Sequence, residues 1–251
     1  MRQLYALPLM MACIAPAWAA DVPALLQWSQ RVALSTPVSG VVQLVYANVG
    51  ERVKQGQVLA TLDATVYQAG VAESQANIAR AKVEEQDAKR NLDRIQELYK
   101  RTVISTSELE TAQTRYGRAK AQLNETQANL KRTQKLLSNA ILRAPFDALV
   151  LARQVEPGQA VASQCQPQTL FVVARAGEMI ARAKVSLAQI EKLTIGAAAT
   201  VAVNHQSYSG KIKTLGLEPV GEKNEAGYPV DVLFAVKEVL RAGMPATVRL
   251  P

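Results

Sequence analysis

Apolar and small side chains recur at alternating steps of three and four through the middle of the chain. In a first arm Val71, Ser74, Ile78, Ala81, Glu85, Ala88, Leu92, Ile95 and Tyr99 keep this spacing. In a second arm Leu109, Ala112, Tyr116, Ala119, Leu123, Thr126, Leu130, Thr133 and Leu137 keep it too. Such a pattern is the seam of a coiled coil. Residues 64–139 contain no Pro and only Gly70 and Gly117, and Ala, Gln, Glu, Lys, Arg and Leu, all good helix formers, dominate. Each arm is therefore a helix roughly 50 Å long at about 1.5 Å per residue. The seam is thin in large side chains. At about 25 cal/mol per Å2 of apolar burial it stabilises little per turn, so length must supply the rest. The pattern breaks only over a few polar residues, and a connection that short forces the arms antiparallel. Lys100 and Arg101 close the first arm, where cations favour a helix C-terminus. Ser105 with Glu108, or Ser107 with Glu110, fits the S-x-x-E box that opens a helix.

The period changes to two on both sides of this hairpin. "TPVSGVVQLVYANVGERVKQGQVLATLD" precedes it and "RAPFDALVLARQVEPGQAVASQCQPQTLFVVA" follows it. At a constant offset of 108 residues Pro37 meets Pro145, Gly40 meets Ala148 and Val42 meets Val150. Gly50 likewise meets Gly158, Glu51 meets Gln159 and Val53 meets Val161. Each copy reads as short Val/Leu-rich strands with Gly-centred turns. Each is too small to bury a core alone. The two are expected to pack together as one β-sandwich, with the hairpin inserted between them. From about Arg175 the strand patterns "MIARAKVSL", "ATVAVN", "SGKIKTLGLEP", "YPVDVLFAV" and "MPATVRL", with the short helix "AQIEKL" ended by Gly196, predict a small β-barrel. "LLQWSQRVAL" near the N-terminus is expected to add a barrel strand.

The chain has 251 residues and a formal net charge of +8. Its first nineteen residues carry one Arg, an apolar stretch and Ala17-Trp18-Ala19, an A-x-A signal for cleavage on export. Removal of that segment leaves Cys165 as the one cysteine, which excludes an internal disulfide. "LMMAC" loosely resembles a lipoprotein box, which would lipidate Cys13 instead, but Met11 stands where a small residue is expected. No later segment has enough consecutive apolar residues for a membrane helix. The basic excess is spread among acids with few aromatics, which argues against nucleic acid. His205, the single histidine, reads as a turn residue, and no phosphate loop or metal tract is present. The sequence predicts no catalysis, cofactor or metal.

Half-motifs of the form P-[VF]-x-[GA]-x-V…G-x-x-V look like the biotinyl-lipoyl fold. Split by a helical hairpin in an exported chain, they resemble periplasmic adaptor subunits, the membrane fusion proteins of the HlyD/RND efflux type. The resemblance implies an elongated, multi-domain α+β protein: signal peptide 1–19, N-terminal segment 20–35, lipoyl-like half 36–63, α-helical hairpin 64–140, second half 141–174 and β-barrel 175–251. It looks like a shortened, three-domain adaptor. The implied role is to bridge an inner-membrane transporter, RND-type favoured, to a TolC-like outer-membrane channel. The adaptor would lie in the periplasm, peripheral to the inner membrane, and self-associate into a ring of three or six. Adaptors that dock on such channels carry R-x3-L-x6-S at the hairpin tip, which Arg94, Leu98 and Ser105 match. An ABC exporter or type I secretion system is the alternative partner. Outside the family stand a plain coiled-coil spacer and a lipoyl or biotin carrier. A carrier needs a Lys at the end of the first half-motif, and no Lys occurs between Lys54 and Lys82.

Overall fold

The computed structural model describes residues 21–163, 168–221 and 226–251. The leader with Ala17, Ala19 and Cys13, and also Cys165, lie outside the described residues. Strands β1 (Asp21–Trp28), β2 (Arg31–Leu34), β3 (Gly40–Val45), β4 (Arg52–Val53) and β5 (Val58–Leu62) come first. Helices α1 (Thr65–Lys100) and α2 (Thr106–Asn139) follow, then β6 (Ile141–Arg143), β7 (Ala148–Arg153), β8 (Ala160–Val161) and β9 (Phe171–Arg175). The chain ends through β10 (Glu178–Val185), α3 (Leu187–Ile190), β11 (Ala198–Val203), β12 (Gln206–Leu215), β13 (Tyr228–Ala235) and β14 (Pro245–Arg249). Two compact units result. One is Arg31–Ala174, and the other joins the segment ending at Gln30 to Arg175–Pro251.

The 108-residue offset reappears in the first unit as reciprocal hydrogen bonds. Gly50 N donates to the Val150 carbonyl at 2.9 Å, and Gly158 N donates to the Val42 carbonyl at 2.8 Å. Val42 N donates to Gln159 O, and Val150 N to Glu51 O. The strand pairings obey the same exchange: Arg52 faces Leu149 in β4–β7, and Val41 faces Ala160 in β3–β8. Gly50 and Gly158 share φ +86°, a backbone state that favours glycine. Each half thus completes the other's sheet, in the orders β2-β9-β7-β4 and β6-β5-β3-β8. Val42, Val53, Val150 and Val161 are buried in one core with Leu59, Leu170 and Phe171. This is why neither half needs to be stable alone.

The hairpin leaves and re-enters this sandwich through neighbouring strands, since Thr61 of β5 faces Ile141 of β6. Its root is tied to the sandwich by Tyr67 Oη donating to the Ser39 carbonyl at 2.6 Å and Thr36 Oγ1 donating to the Asn139 carbonyl at 3.0 Å. Because the two ends are adjacent, replacing residues 65–139 by a short Gly-rich turn should leave a cooperatively melting β-domain. A chain that shows no sheet signal and no melting transition by circular dichroism would contradict this.

The second unit is a closed barrel in the order β1-β10-β13-β12-β11-β14. The barrel strand expected from "LLQWSQRVAL" is β1, which takes only the first four residues of that run. The segment breaks at Ser29–Gln30: β1 pairs with β10 and β14 in the barrel, whereas β2 pairs with β9 in the sandwich. Val22, Ala24 and Leu26 alternate into the barrel core, beginning upstream of the expected run. Asn204 and His205, both at positive φ, form the exposed turn between β11 and β12. Arg182 of β10 grips buried Asp231 of β13 with two bonds of 2.7 and 2.8 Å, and Thr214 of β12 donates a third at 3.0 Å. Burial pushes the Asp231 carboxyl up, but the Arg182 and Thr214 hydrogen bonds and the Arg182 charge outweigh it and hold the group below its ordinary value. A lowered carboxyl contributes stability that is full above its unfolded pKa, about 3.9, and is lost as pH falls through the folded value. Acid melting of the barrel should therefore steepen below about pH 4, and Asp231→Asn should flatten that limb. An unchanged acid limb in Asp231→Asn would assign it to other carboxyls.

Candidate docking site at the hairpin tip

The seam residues of both arms are the buried or half-buried stripe of α1 and α2, with Ser74, Ala81, Ala88, Leu92 and Ala112 fully buried. Near the root, Ser74 Oγ donates to the Gly70 carbonyl and accepts from Asn129 Nδ2 of the opposite helix at 3.3 Å. A buried polar pair of this kind fixes register between helices. Toward the tip the seam opens. Tyr99, read as its last position, is 40% exposed because its opposite is the small Thr106, whose hydroxyl lies 3.5 Å from the Tyr99 hydroxyl.

The turn itself is closed by backbone. The Leu98 carbonyl accepts from Arg101 N at 3.2 Å and from Val103 N at 3.1 Å, and Thr102 reverses the chain at φ +60°. Of the two capping boxes the sequence permits, Ser105–Glu108 forms. Ser105 Oγ accepts from Glu108 N at 3.3 Å, and Ser105 N donates to Glu108 Oε2 at 3.2 Å. Ser105 therefore has a structural task as N-cap of α2 and remains exposed. Arg94 and Leu98 lie one turn apart on α1 and share a stripe. The Arg94 guanidinium is exposed and donates to Asn91 Oδ1 at 2.7 Å; the Leu98 side chain is half-buried beside the seam. Val103 is 66% exposed at the apex, an apolar surface the sequence reading did not single out. The tip thus offers a half-covered Leu, two exposed apolar neighbours, an exposed guanidinium steadied by Asn91 and a hydroxyl.

Where a carrier domain would present Lys, β5 runs through Asp63 and Ala64 directly into α1. Among the described residues no group of three or more His, Cys, Asp or Glu is placed to hold a metal. Among them, too, no helix is long and apolar enough to cross a membrane.

The sequence model of the CzcB-like barrel-sandwich hybrid domain matches residues 30–175, which include the sandwich and the whole hairpin. The chain belongs to this family of membrane fusion proteins, the periplasmic adaptors. Among curated relatives of this adaptor is multidrug resistance protein MdtA of Escherichia coli O45:K1. It is 27% identical over 135 residues, covering 54% of this chain and 32% of the relative. The chain thus spans about a third of that relative's length. Membrane fusion protein Spr0693 from Streptococcus pneumoniae R6 shares the fold at TM-score 0.69 and 14% identity, covering 93% of this chain and 99% of that one. A MacA-MexA chimera carrying the Pseudomonas aeruginosa MexA α-hairpin domain shares it at TM-score 0.64 and 24% identity, covering 91% and 77%.

Proposed function

We propose that this membrane fusion protein is the periplasmic adaptor of a tripartite efflux pump. It bridges an RND-type inner-membrane transporter to a TolC-like outer-membrane channel. The observation that carries the reading is the rod with a structured, partly apolar tip, on which Arg94, Leu98 and Ser105 stand at the spacing of channel-docking adaptors. Similarity to MdtA, a multidrug resistance protein, supports efflux as the process. The adaptor performs no chemistry: it is exported by cleavage after Ala19, lies peripheral to the inner membrane and self-associates into a ring. In cells, cross-linking followed by purification of the tagged adaptor should bring down one inner-membrane transporter and one outer-membrane channel. Deleting its gene should raise sensitivity to toxic compounds. Recovery of an ABC transporter would overturn the choice of RND partner, and recovery of neither membrane partner would overturn the role.

Two tip substitutions should have graded effects. Arg94→Ala removes an exposed donor and should weaken docking by about 1–3 kcal/mol without changing the melting temperature. Ser105→Ala removes the same kind of bond and also the N-cap, at about 0.5–2 kcal/mol of helix stability. Ser105→Asn keeps a capping side chain. If Asn restores stability but not binding of the purified channel, the hydroxyl acts in docking; if it restores both, Ser105 acts as a cap.

A further inference from the structure

Strands β10 and β12 end, and β11 and β13 begin, at one mouth of the barrel, where Val185 faces Tyr228 and Leu215 faces Val230. Both connections to the sandwich unit, residues 29–30 and 176–177, leave from the opposite mouth, after β1 and before β10. The first mouth carries four exposed aliphatics on two connections. Leu187 stands in α3 and Ile195 precedes β11, while Leu217 and Val220 lie between β12 and β13. Leu217 is 94% exposed and Ile195 70%. The backbone holds these positions out. Gly216 N donates to the Pro229 carbonyl at 2.7 Å, and the strands are so close there that a Cβ on Gly216 would stand 2.4 Å from the Pro229 ring. Val220 and Gly227 then exchange hydrogen bonds of 2.9 and 3.4 Å. A Cβ on Gly227 would meet the Lys184 Cβ at 3.1 Å, so this paired extension leans on the end of β10 beside Lys184. Gly196 N donates to the Ile212 carbonyl at 2.8 Å, which sets Ile195 level with Lys213 and Thr214 of β12. Exposed Lys192 lies three residues before Ile195.

Exposed apolar residues scattered singly need no explanation, but gathered at one end of a domain they mark a contact surface. Polar side chains such as Gln189, Thr194 and Glu218 separate the four aliphatics. Among the described residues Lys184, Lys192, Lys211 and Lys213 outnumber Glu191 and Glu218 here, while Asp21 and Asp231 are engaged by Arg249 and Arg182. Glu222, Lys223 and Glu225 lie outside the described residues. An interface with a folded partner is built round a continuous apolar core. A lipid surface needs none: acyl chains close round each separate aliphatic, and anionic phosphates meet the lysines. We propose that this mouth of the barrel sits on an anionic phospholipid surface, with Leu187, Ile195, Leu217 and Val220 below the headgroups and Lys184, Lys192 and Lys213 among the phosphates. The proposal rests on the reading of the adaptor as peripheral to the inner membrane, and it names the surface and the lipid chemistry that hold it there. Leu217, almost wholly exposed on the paired extension, is the principal anchor.

Co-sedimentation of residues 20–251 with lipid vesicles tests this free of the leader's own apolar stretch. Vesicles of phosphatidylcholine and phosphatidylglycerol in equal parts should bind the protein about tenfold more tightly than phosphatidylcholine alone, and salt should narrow the difference. Leu217→Asp with Ile195→Asp should weaken binding to the mixed vesicles about tenfold or more, because both the apolar area and the charge then oppose insertion. Lys184→Gln with Lys213→Gln should weaken it about threefold at low salt and less at high salt. All four side chains are exposed, so melting temperatures should stay close to wild type. Leu217→Trp should give emission that shifts to the blue on the vesicles and is quenched by brominated acyl chains, whereas Trp28, packed on the barrel core, should not respond. A wild type that binds neither vesicle, equal binding to both, aspartate variants that bind as wild type, or Leu217→Trp emission blind to brominated lipid would each overturn the proposal. Cross-linking from position 217 to a membrane protein in cells, without vesicle binding, would assign this mouth to a protein partner and overturn it too. Recovery of neither transporter nor channel with the tagged adaptor would instead remove the efflux reading and leave vesicle binding unchanged.

Discussion

A Leu98→Asp adaptor should lose efflux while melting almost as wild type does. Leu98 is half-buried beside the opened end of the seam, and the turn is held by its backbone carbonyl, which the substitution leaves in place. The free protein can turn the new carboxylate to water. In a docked tip the same carboxylate would be enclosed without a partner, at a cost of roughly 2–7 kcal/mol for an uncompensated polar group and more if it stays charged. Even the low end of that range reduces docking about thirtyfold, since about 1.4 kcal/mol is tenfold. Drug susceptibility of a complemented deletion strain measures the loss, with expression and thermal melting followed in parallel. Full resistance from a folded Leu98→Asp protein would mean that the tip is only a turn.

Phe171→Ala should be the most damaging single change to the sandwich. Phe171 opens β9 opposite Leu34, is fully buried, and packs in the core to which both half-motifs contribute. Truncating a buried Phe costs about 3–5 kcal/mol through lost burial and the cavity left behind. Against a typical domain stability of about 5–15 kcal/mol, that leaves the unit marginal. Urea unfolding should show the loss, and hydrogen exchange should place it in residues 31–174 rather than in the barrel. A loss under about 1 kcal/mol would mean that the core collapses around the gap.

Much of the architecture was legible because it is periodic. The alternating steps from Val71 to Leu137 name the stripe that is covered in α1 and α2. The 108-residue offset anticipates which Val and Gly positions exchange hydrogen bonds, since a repeated half-motif folds on itself by a repeated pattern. The break between β1 and β2 was hidden. "LLQWSQRVAL" has no Gly or Pro, and its division at Ser29–Gln30 is decided by distant partners, β10 and β14 for one piece and β9 for the other. The choice between two S-x-x-E boxes was equally open in sequence. In the structure α2 starts at Thr106, so Ser105 is the residue in the N-cap position and Ser107 already lies inside the helix. At the candidate site Arg94, Leu98 and Ser105 could be found by spacing. Val103 could not, because a single apolar residue in a polar turn has no period to reveal it.

Docking by the tip is the central claim, and a photo-reactive amino acid placed at position 98 tests it most directly. Irradiated in living cells, that adaptor should cross-link to an outer-membrane channel identified by mass spectrometry, whereas the same probe at exposed Gln113, on the flank of α2, should not. Cross-links from position 98 that reach only other copies of the adaptor, or only an inner-membrane protein, would contradict it.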